Sequence, residues 1–223
     1  MQITPIIPAD YSQVMNVSSL EALESASLTM RHNVIRIKQD LIGDYDALTA
    51  HVVRKYNMGP NACISFNETE PASFKLSEFF NALGEGIGIG AEILRAANQL
   101  ESSLSTLHEI SGQSPSLMLI TGRGDDLTRG NLCDHIDGGK IRYGMNFSGQ
   151  ATEIVHIDDV LDTSGRIVKV KKDARHYRFG LGDIWKIAGL DLEDVTNPTV
   201  HNAPRSKITF GSKPSSMRLL ALT

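Results

Sequence analysis

The second half of the chain is a succession of short apolar runs separated by turn-forming residues. Nine such runs follow residue 116, among them residues 117–121 and 183–187. Turn signals such as Ser148-Gly149 lie between them. Many short strands with regular turns are typical of a β-sandwich or barrel and not of a parallel sheet. We therefore expect a β-rich core over residues 113–223.

Residues 1–112 have a different, mainly helical pattern. Apolar residues recur at helical spacing between Leu41 and Tyr56, and residues 73–83 and 91–110 are also amphipathic. Alternating polar and apolar residues at 31–38 predict one short strand. The expected class is α+β, with the N-terminal helical part packed on the C-terminal sheet and not folding independently.

Composition excludes several classes of protein. The net charge of -4 argues against nucleic-acid binding, and we interpret the basic run at residues 169–172 as solvated. Residues 1–5 lack a charged and apolar leader, and no apolar run approaches the roughly 18–20 residues that span a bilayer. With only Cys63 and Cys133 there is no disulfide framework. We expect a cytoplasmic protein with reduced thiols and no membrane contact.

Four glycines at alternate positions in residues 84–90 superficially resemble a nucleotide-binding loop. The dinucleotide fingerprint requires the G-x-G-x-x-G spacing after a strand and before a helix. Here a predicted helix precedes the glycines, and their spacing differs. We interpret this segment as a flexible connection or a lid over a site.

The most specific local feature is Asp134-His135-Ile136-Asp137. On a strand, His135 and Asp137 would face the same way, so a histidine nitrogen and a carboxylate oxygen could bind one cation. Cys133 would share that face, either as a thiolate ligand favouring zinc or copper or as a packing residue below the metal. A polar strand face with a local hydrogen bond would show the same pattern, so the motif needs a third ligand.

His201 is the best candidate for that third ligand. It lies 66 positions after His135, which leaves room for several intervening strands. Two histidines and one carboxylate on one side of a metal form the facial triad of non-haem iron(II) oxygenases, whose other coordination positions stay open. A Gly182-Asp183 turn precedes His201, and Arg218 follows it at the start of the final apolar run. The other histidines have no partner at ligand spacing, and Trp185 is expected in the core.

Five motifs follow one another in the second half of the chain. They are H-I-D at 135–137, R-Y-G-M-N-F-S-G-Q-A-T-E at 142–153, G-D-I-W-K-I-A-G at 182–189, V-H-N-A-P at 200–204 and M-R-L-L-A-L-T at 217–223. This order resembles the 2-oxoglutarate and iron(II)-dependent dioxygenases. More narrowly, it is similar to a bacterial family catalogued as domain of unknown function 1826. The resemblance covers about residues 115–223 and implies a double-stranded β-helix (jelly roll, cupin-like).

The resemblance also implies roles for individual residues. His135, Asp137 and His201 would hold Fe(II), and Arg218 would pair with the distal carboxylate of 2-oxoglutarate. Tyr143 or Asn146 could bind the co-substrate, but these two face opposite ways on a regular strand. Because the gap between His201 and Arg218 is longer than in the family, three other basic residues are substitutes for Arg218: Arg205, Lys207 and Lys213.

The expected activity is hydroxylation of an unidentified substrate, a small molecule or peptide, with O2 and 2-oxoglutarate as co-substrates. Two alternatives stay open. One is a cupin-like metalloprotein that does not use 2-oxoglutarate. The other is a non-catalytic binding module on the same fold.

Overall fold

The computed structural model describes residues 4–8, 10–59, 62–70, 73–84, 90–121, 134–163, 168–193, 198–202 and 217–223. These residues form four α-helices: α1 (Leu20–Ser25), α2 (Tyr45–Lys55), α3 (Leu76–Gly84) and α4 (Ala91–Ser111). The strands of the first half are β1 (Val14–Val17), β2 (Val34–Ile37), β3 (Cys63–Phe66) and β4 (Ser116–Thr121). The strands of the second half are β5 (Ile141–Ser148), β6 (Glu153–Val155), β7 (Val160–Asp162), β8 (Lys169–Val170), β9 (His176–Arg178), β10 (Ile184–Ala188), β11 (His201–Asn202) and β12 (Met217–Leu222).

A mixed seven-stranded sheet is the largest element of the structure. Its order is β1-β2-β10-β5-β12-β4-β3. Only β1 and β2 pair in parallel; all other neighbours in this sheet are antiparallel. Strand β12 therefore lies between β4 and β5, although it is the farthest along the chain.

A smaller sheet faces this one and has the order β11-β6-β9. An antiparallel bridge between His135 and His201 adds the segment around His135 to its β11 edge. A separate pair, β7 and β8, lies outside both sheets.

From β4 onward the chain alternates between the two sheets. It passes from β4 in the large sheet to the His135 segment in the small one, and back to β5. It then forms β6 and β9 in the small sheet, β10 in the large, β11 in the small and β12 in the large. This alternation of antiparallel strands is the connection pattern of a jelly roll.

The N-terminal half contributes more to the sheet than its helical pattern predicts. Strands β1 and β2 extend one side of the large sheet, and β3 forms its other edge. Only β2 lies where alternation predicted a strand. The four-residue strands β1 and β3 were missed because so short a segment carries little periodicity, and distant pairing decides its structure.

The helices cover one face of the large sheet. Helix α2 contacts β4, β5 and β12, and α4 contacts β5. Helix α2 begins at the N-cap Asp44, whose side chain accepts a 2.8 Å hydrogen bond from the amide of Ala47. Among the described residues, no helix combines the length and apolarity needed to cross a bilayer.

Residues of β5 alternate between the two faces of the large sheet. Tyr143, Met145 and Phe147 pack in the core beneath the helices. Asn146 points the other way, because its Oδ1 accepts a hydrogen bond from the amide of Thr152, which directly precedes β6 of the small sheet. On β10, Trp185 packs with Ile154 of the small sheet. The space between the sheets is therefore lined by one face of each, called here the inner faces.

Candidate metal centre

The backbones of His135 and His201 bond to each other in both directions. The amide of each donates to the carbonyl of the other, at 2.9 Å in both cases. Side chains of directly paired residues lie on the same face of a sheet. The two imidazole centroids are 4.4 Å apart with an interplanar angle of 52°. Two histidines distant in sequence are therefore side by side on the inner face of the small sheet.

Asp137 completes this cluster. Its Oδ1 lies 3.9 Å from Nε2 of His135, and its Oδ2 lies 3.2 Å from Nε2 of His201. One ligand atom from each of the three residues fits within 4.8 Å of the others. The backbone of Asp137 is held by the amide of Leu190, which donates to its carbonyl at 3.0 Å.

The imidazole of His201 has a defined orientation. Its Nδ1 lies 3.2 Å from the carbonyl oxygen of Thr199, which can only accept a hydrogen bond. Because Nδ1 keeps its proton in this contact, Nε2, which faces Asp137, is the nitrogen that would bind a cation. Thr199 is itself fixed, since its hydroxyl donates to the carbonyl of Asn33 at 2.6 Å and accepts from the amide of Ala188 at 3.2 Å.

Arg142 is the nearest cation to this cluster among the ion pairs of the described residues. Its Nε lies 2.7 Å from Oδ2 of Asp137, and the two side chains are 32% and 17% exposed. Burial by itself raises the pKa of Asp137. The neighbouring His201, Arg142 and His135 outweigh burial and lower that pKa to about 2. Asp137 is therefore ionised throughout the neutral range.

The buried Oδ2 of Asp137 tests whether these residues fit a metal ion. Its contacts with His201 and Arg142 are short but lack hydrogen-bond geometry, so this buried oxygen accepts no aligned hydrogen bond. A buried carboxylate oxygen is normally satisfied. A cation between Asp137 and the two Nε2 atoms would satisfy it. Two imidazoles and one carboxylate suit a first-row transition metal such as Fe(II) or Zn(II) better than Ca²⁺ or Mg²⁺.

The other predicted site residues divide between the two faces of the large sheet. Asn146 lies on the inner face. Arg218 does too, because it alternates with Leu219, which packs beneath the helices; it is 5% exposed. Tyr143 lies on the helical face, where Nζ of Lys186 is 5.7 Å from its ring centroid. The structure therefore does not bring Tyr143 to the inner face. Four further candidates lie outside the described residues: Cys133, Arg205, Lys207 and Lys213.

Asp183 of the Gly-Asp turn has a structural role and is not part of the metal cluster. Its Oδ2 accepts hydrogen bonds from the amide of Gly180 at 2.8 Å and from the guanidinium of Arg36 at 3.1 Å. Arg36 lies on the inner face of β2 and is fully buried. The turn thus links the start of β10 to β2.

Sequence reasoning missed two contacts near the cluster. Arg142 shares a face of β5 with Asn146, so strand alternation could have indicated it. His176 was interpreted as having no partner, but its Nε2 lies 3.1 Å from Oδ1 of Asp134, next to His135. Its Nδ1 lies 2.9 Å from the carbonyl of Ala174, so both ring nitrogens have acceptors. No local pattern indicates a contact between residues 42 positions apart.

A scan of the sequence against protein-family models gives no match, and a search of curated proteins gives none either. Among solved structures, the chain is similar to a full-length Neurospora crassa protein crystallised in complex with alpha-KG and 5-formyluracil. The identity is 10% and the TM-score 0.45, over 99% of this chain and 86% of that chain.

Two further solved structures are similar at the same level. The rice dioxygenase for auxin oxidation is 10% identical with a TM-score of 0.43, over 94% of this chain and 81% of that chain. A 2OG-Fe(II) oxygenase family protein from Caulobacter crescentus is 15% identical with a TM-score of 0.43, over 95% and 86%. TM-scores below 0.5 do not establish a common fold. A function for this chain is therefore argued from the geometry of the site and not from these similarities.

Proposed function

We propose that this chain is a non-haem Fe(II) and 2-oxoglutarate-dependent oxygenase that hydroxylates an unidentified small molecule or peptide. The observation that carries the proposal is the cluster of His135, Asp137 and His201, whose ligand atoms fit within 4.8 Å of one another. Three protein ligands of this kind leave coordination positions for co-substrates, whereas a structural zinc site is closed by four.

The three side chains would hold the metal, and backbone hydrogen bonds position all three residues. His135 and His201 are fixed to each other through their backbones, and Asp137 through its carbonyl. When bound, Fe(II) with O2 and 2-oxoglutarate would supply oxidation of a C–H bond, with succinate and carbon dioxide as co-products. The positive charge of Arg142 would partly neutralise the negative charge of Asp137 beside the metal.

Use of 2-oxoglutarate is supported by the positive charge on the inner face. Arg218 is buried there, and a guanidinium is the best match for a carboxylate in a dry site. Asn146 lies on the neighbouring strand and would contact the same co-substrate. Arg205, Lys207 and Lys213 stay as alternative anchors.

Three narrower assignments belong to the same proposal. The order of motifs supports a relationship to the bacterial family domain of unknown function 1826. The composition supports a cytoplasmic location with no nucleic-acid or membrane partner. Packing of α2 and α4 on the large sheet supports a jelly-roll core at 113–223 with residues 1–112 as its support and not as an independent domain.

An anaerobic titration tests the proposal. Purified metal-free protein is titrated with Fe(II) and then with 2-oxoglutarate, and a weak visible charge-transfer band is expected only when both are bound. Single alanine substitutions of His135, Asp137 and His201 should each weaken metal binding by more than roughly 100-fold, because even residues that only orient ligands contribute about 10- to 100-fold. His108→Ala, an exposed position on α4, is the matched control and should bind like the unmodified protein.

The outcomes separate the alternative functions. Metal binding without the band, and without 2-oxoglutarate turnover to succinate under O2, would favour a cupin-like metalloprotein that does not use 2-oxoglutarate. No metal binding would favour a binding module. Full metal affinity in His135→Ala would show that the assigned cluster is wrong.

A further inference from the structure

Among the described residues, the inner face of the large sheet carries neutral N–H donors that are buried without an acceptor. They are Nδ2 of Asn146 and Nε1 of Trp185, on residues that are each 1% exposed. A buried donor has lost its water partners, and leaving it unsatisfied is costly enough that native structures rarely do so. The two donors lie on neighbouring strands, β5 and β10.

The orientation of the Asn146 amide is fixed by its neighbour. Oδ1 faces the backbone amide of Thr152 at 3.2 Å and the Thr152 hydroxyl at 3.4 Å. Rotating the amide by half a turn would set its NH2 group against a backbone N–H, which cannot accept. The NH2 group therefore points away from Thr152.

Trp185 lies directly opposite Gly144 in the pairing of β10 with β5. A Cβ added to Gly144 would be 2.3 Å from Cζ2 of the indole, so the ring covers the space that a side chain would fill. Nε1 is two bonds from Cζ2 and therefore lies near the same point of β5. Asn146 is the next residue of β5 on the inner face, one strand repeat of about 7 Å away.

Arg218 lies on the other side of Asn146. Leu220 of β12 pairs with Asn146, and Arg218 is two residues earlier on the same face. Trp185, Asn146 and Arg218 thus follow one another across the adjacent strands β10, β5 and β12. The groups that these three residues direct away from Thr152 are an indole N–H, an amide NH2 group and a guanidinium, and all of them are hydrogen-bond donors. Such a row is complementary to an anion rich in oxygen acceptors.

We propose that Trp185 and Asn146 are ligand-binding donors of a buried carboxylate subsite that also includes Arg218. This inference rests on the proposed function and deepens it: the occupant is a dicarboxylate of the size of 2-oxoglutarate, and the indole N–H of Trp185 donates to one of its oxygens. Trp185 thereby has a binding role in addition to its packing role in the core.

The test compares three variants by calorimetric titration of 2-oxoglutarate into protein loaded with Mn(II) in place of iron. Trp185→Phe keeps an aromatic ring but removes the donor. Asn146→Asp keeps an acceptor for Thr152 and turns the NH2 group into a second acceptor. Phe179→Leu is the control, because Phe179 stacks on Trp185 with centroids 5.1 Å apart but carries no donor.

Both donor variants should raise the Kd for 2-oxoglutarate by about 10- to 100-fold, the value expected for one hydrogen bond to a charged group. Their Mn(II) affinity should stay within about twofold of the unmodified protein. Phe179→Leu should lower the thermal midpoint while leaving the Kd for 2-oxoglutarate nearly unchanged. Trp185 is the only tryptophan in the sequence, so a change in its emission on 2-oxoglutarate binding provides a second readout in unmodified protein.

The results distinguish this inference from the proposed function. An unchanged Kd in Trp185→Phe, or an equal loss in Phe179→Leu, would overturn the donor role even if the enzyme turns over 2-oxoglutarate. Donor-dependent binding of 2-oxoglutarate with no turnover under O2 would support the subsite and overturn the oxygenase. Failure of the unmodified protein to bind 2-oxoglutarate would overturn both.

Discussion

Nε of Arg142 lies 2.7 Å from Oδ2 of Asp137, so the guanidinium of a β5 residue contacts the carboxylate of the candidate metal centre. The arginine is partly exposed and the carboxylate is mostly buried. This contact places the charge of Asp137 between a guanidinium and two imidazoles. Asp137 is therefore one of the carboxylates on which the acid stability of the metal-free protein depends.

The first prediction concerns this pH dependence. The pKa of Asp137 is about 2 in the folded protein, against about 3.9 in an unfolded chain. Because the folded value is lower, ionised Asp137 stabilises the fold above pH about 4, and this contribution is lost as the pH falls toward 2. Its upper size is about 2–3 kcal/mol. Asp137→Asn should therefore flatten the dependence of unfolding free energy on pH between about 5 and 2.

Urea unfolding of the metal-free protein across this range measures the effect. Asp173→Asn, at an exposed turn position, is the control. If both variants retain the slope of the unmodified protein, Asp137 is not the group responsible.

The second prediction concerns the close approach of β5 to Trp185. Gly144→Ala would place a methyl group 2.3 Å from the indole and 2.8 Å from Leu222. Overpacking of this kind typically costs about 1–3 kcal/mol, so the urea midpoint should fall and the tryptophan emission should shift. Gly59→Ala is the matched control, because no atom lies within 4 Å of the added methyl group. Equal midpoints for the two variants would contradict the described packing.

The third prediction concerns the ion pair between Arg36 and Asp183. Both side chains are buried, at 0% and 5% exposure. Asp183→Asn would leave the guanidinium charge uncompensated in the interior, and breaking a buried pair costs about 3–5 kcal/mol. Arg95→Gln breaks the exposed pair of Arg95 with Glu92 and should cost at most about 1 kcal/mol. Chemical denaturation compares the two; a loss below about 1 kcal/mol in Asp183→Asn would show that Arg36 has other support.

The fourth prediction concerns Thr199, which positions His201 through its carbonyl group. Thr199→Val removes the hydroxyl that bonds the carbonyl of Asn33 and the amide of Ala188. The amide of Ala188 still donates to the carbonyl of Asn33 at 3.1 Å, so neither group is left unpaired and the loss should be about 1 kcal/mol. The carbonyl that orients His201 remains. Thr106→Val, on α4, should change stability by less than about 0.5 kcal/mol. A variant of normal stability, or one whose folded form no longer binds metal, would contradict this division of roles.

The candidate metal centre was predictable from the sequence because its parts obey local rules. The two-residue spacing of His135 and Asp137 places both side chains near one point, and a paired strand brings His201 beside them. Metal binding itself stays a prediction. Strand alternation also set Tyr143 and Asn146 on opposite faces, but the choice of the inner face for Asn146 depends on packing.

The N-terminal half was less predictable. Helical spacing predicted α2 and α4, whose periodic patterns are long. Strands β1 and β3 have four residues each and are defined by pairing with β2 and β4, which no local pattern encodes. Strand alternation indicates the face of β5 on which Arg142 lies, but its contact with Asp137 depends on tertiary packing, as does that of His176 with Asp134.

The central place of β12 in the large sheet has a consequence for synthesis on the ribosome. A nascent chain that has been translated only as far as residue 216 has β4 and β5 but not the strand that joins them. Its sheet would be two separate fragments with apolar edges open to other chains, a state prone to aggregation. We therefore expect stalled or truncated translation products to depend on chaperones, and native assembly to follow release of the Met217–Leu222 segment from the exit tunnel.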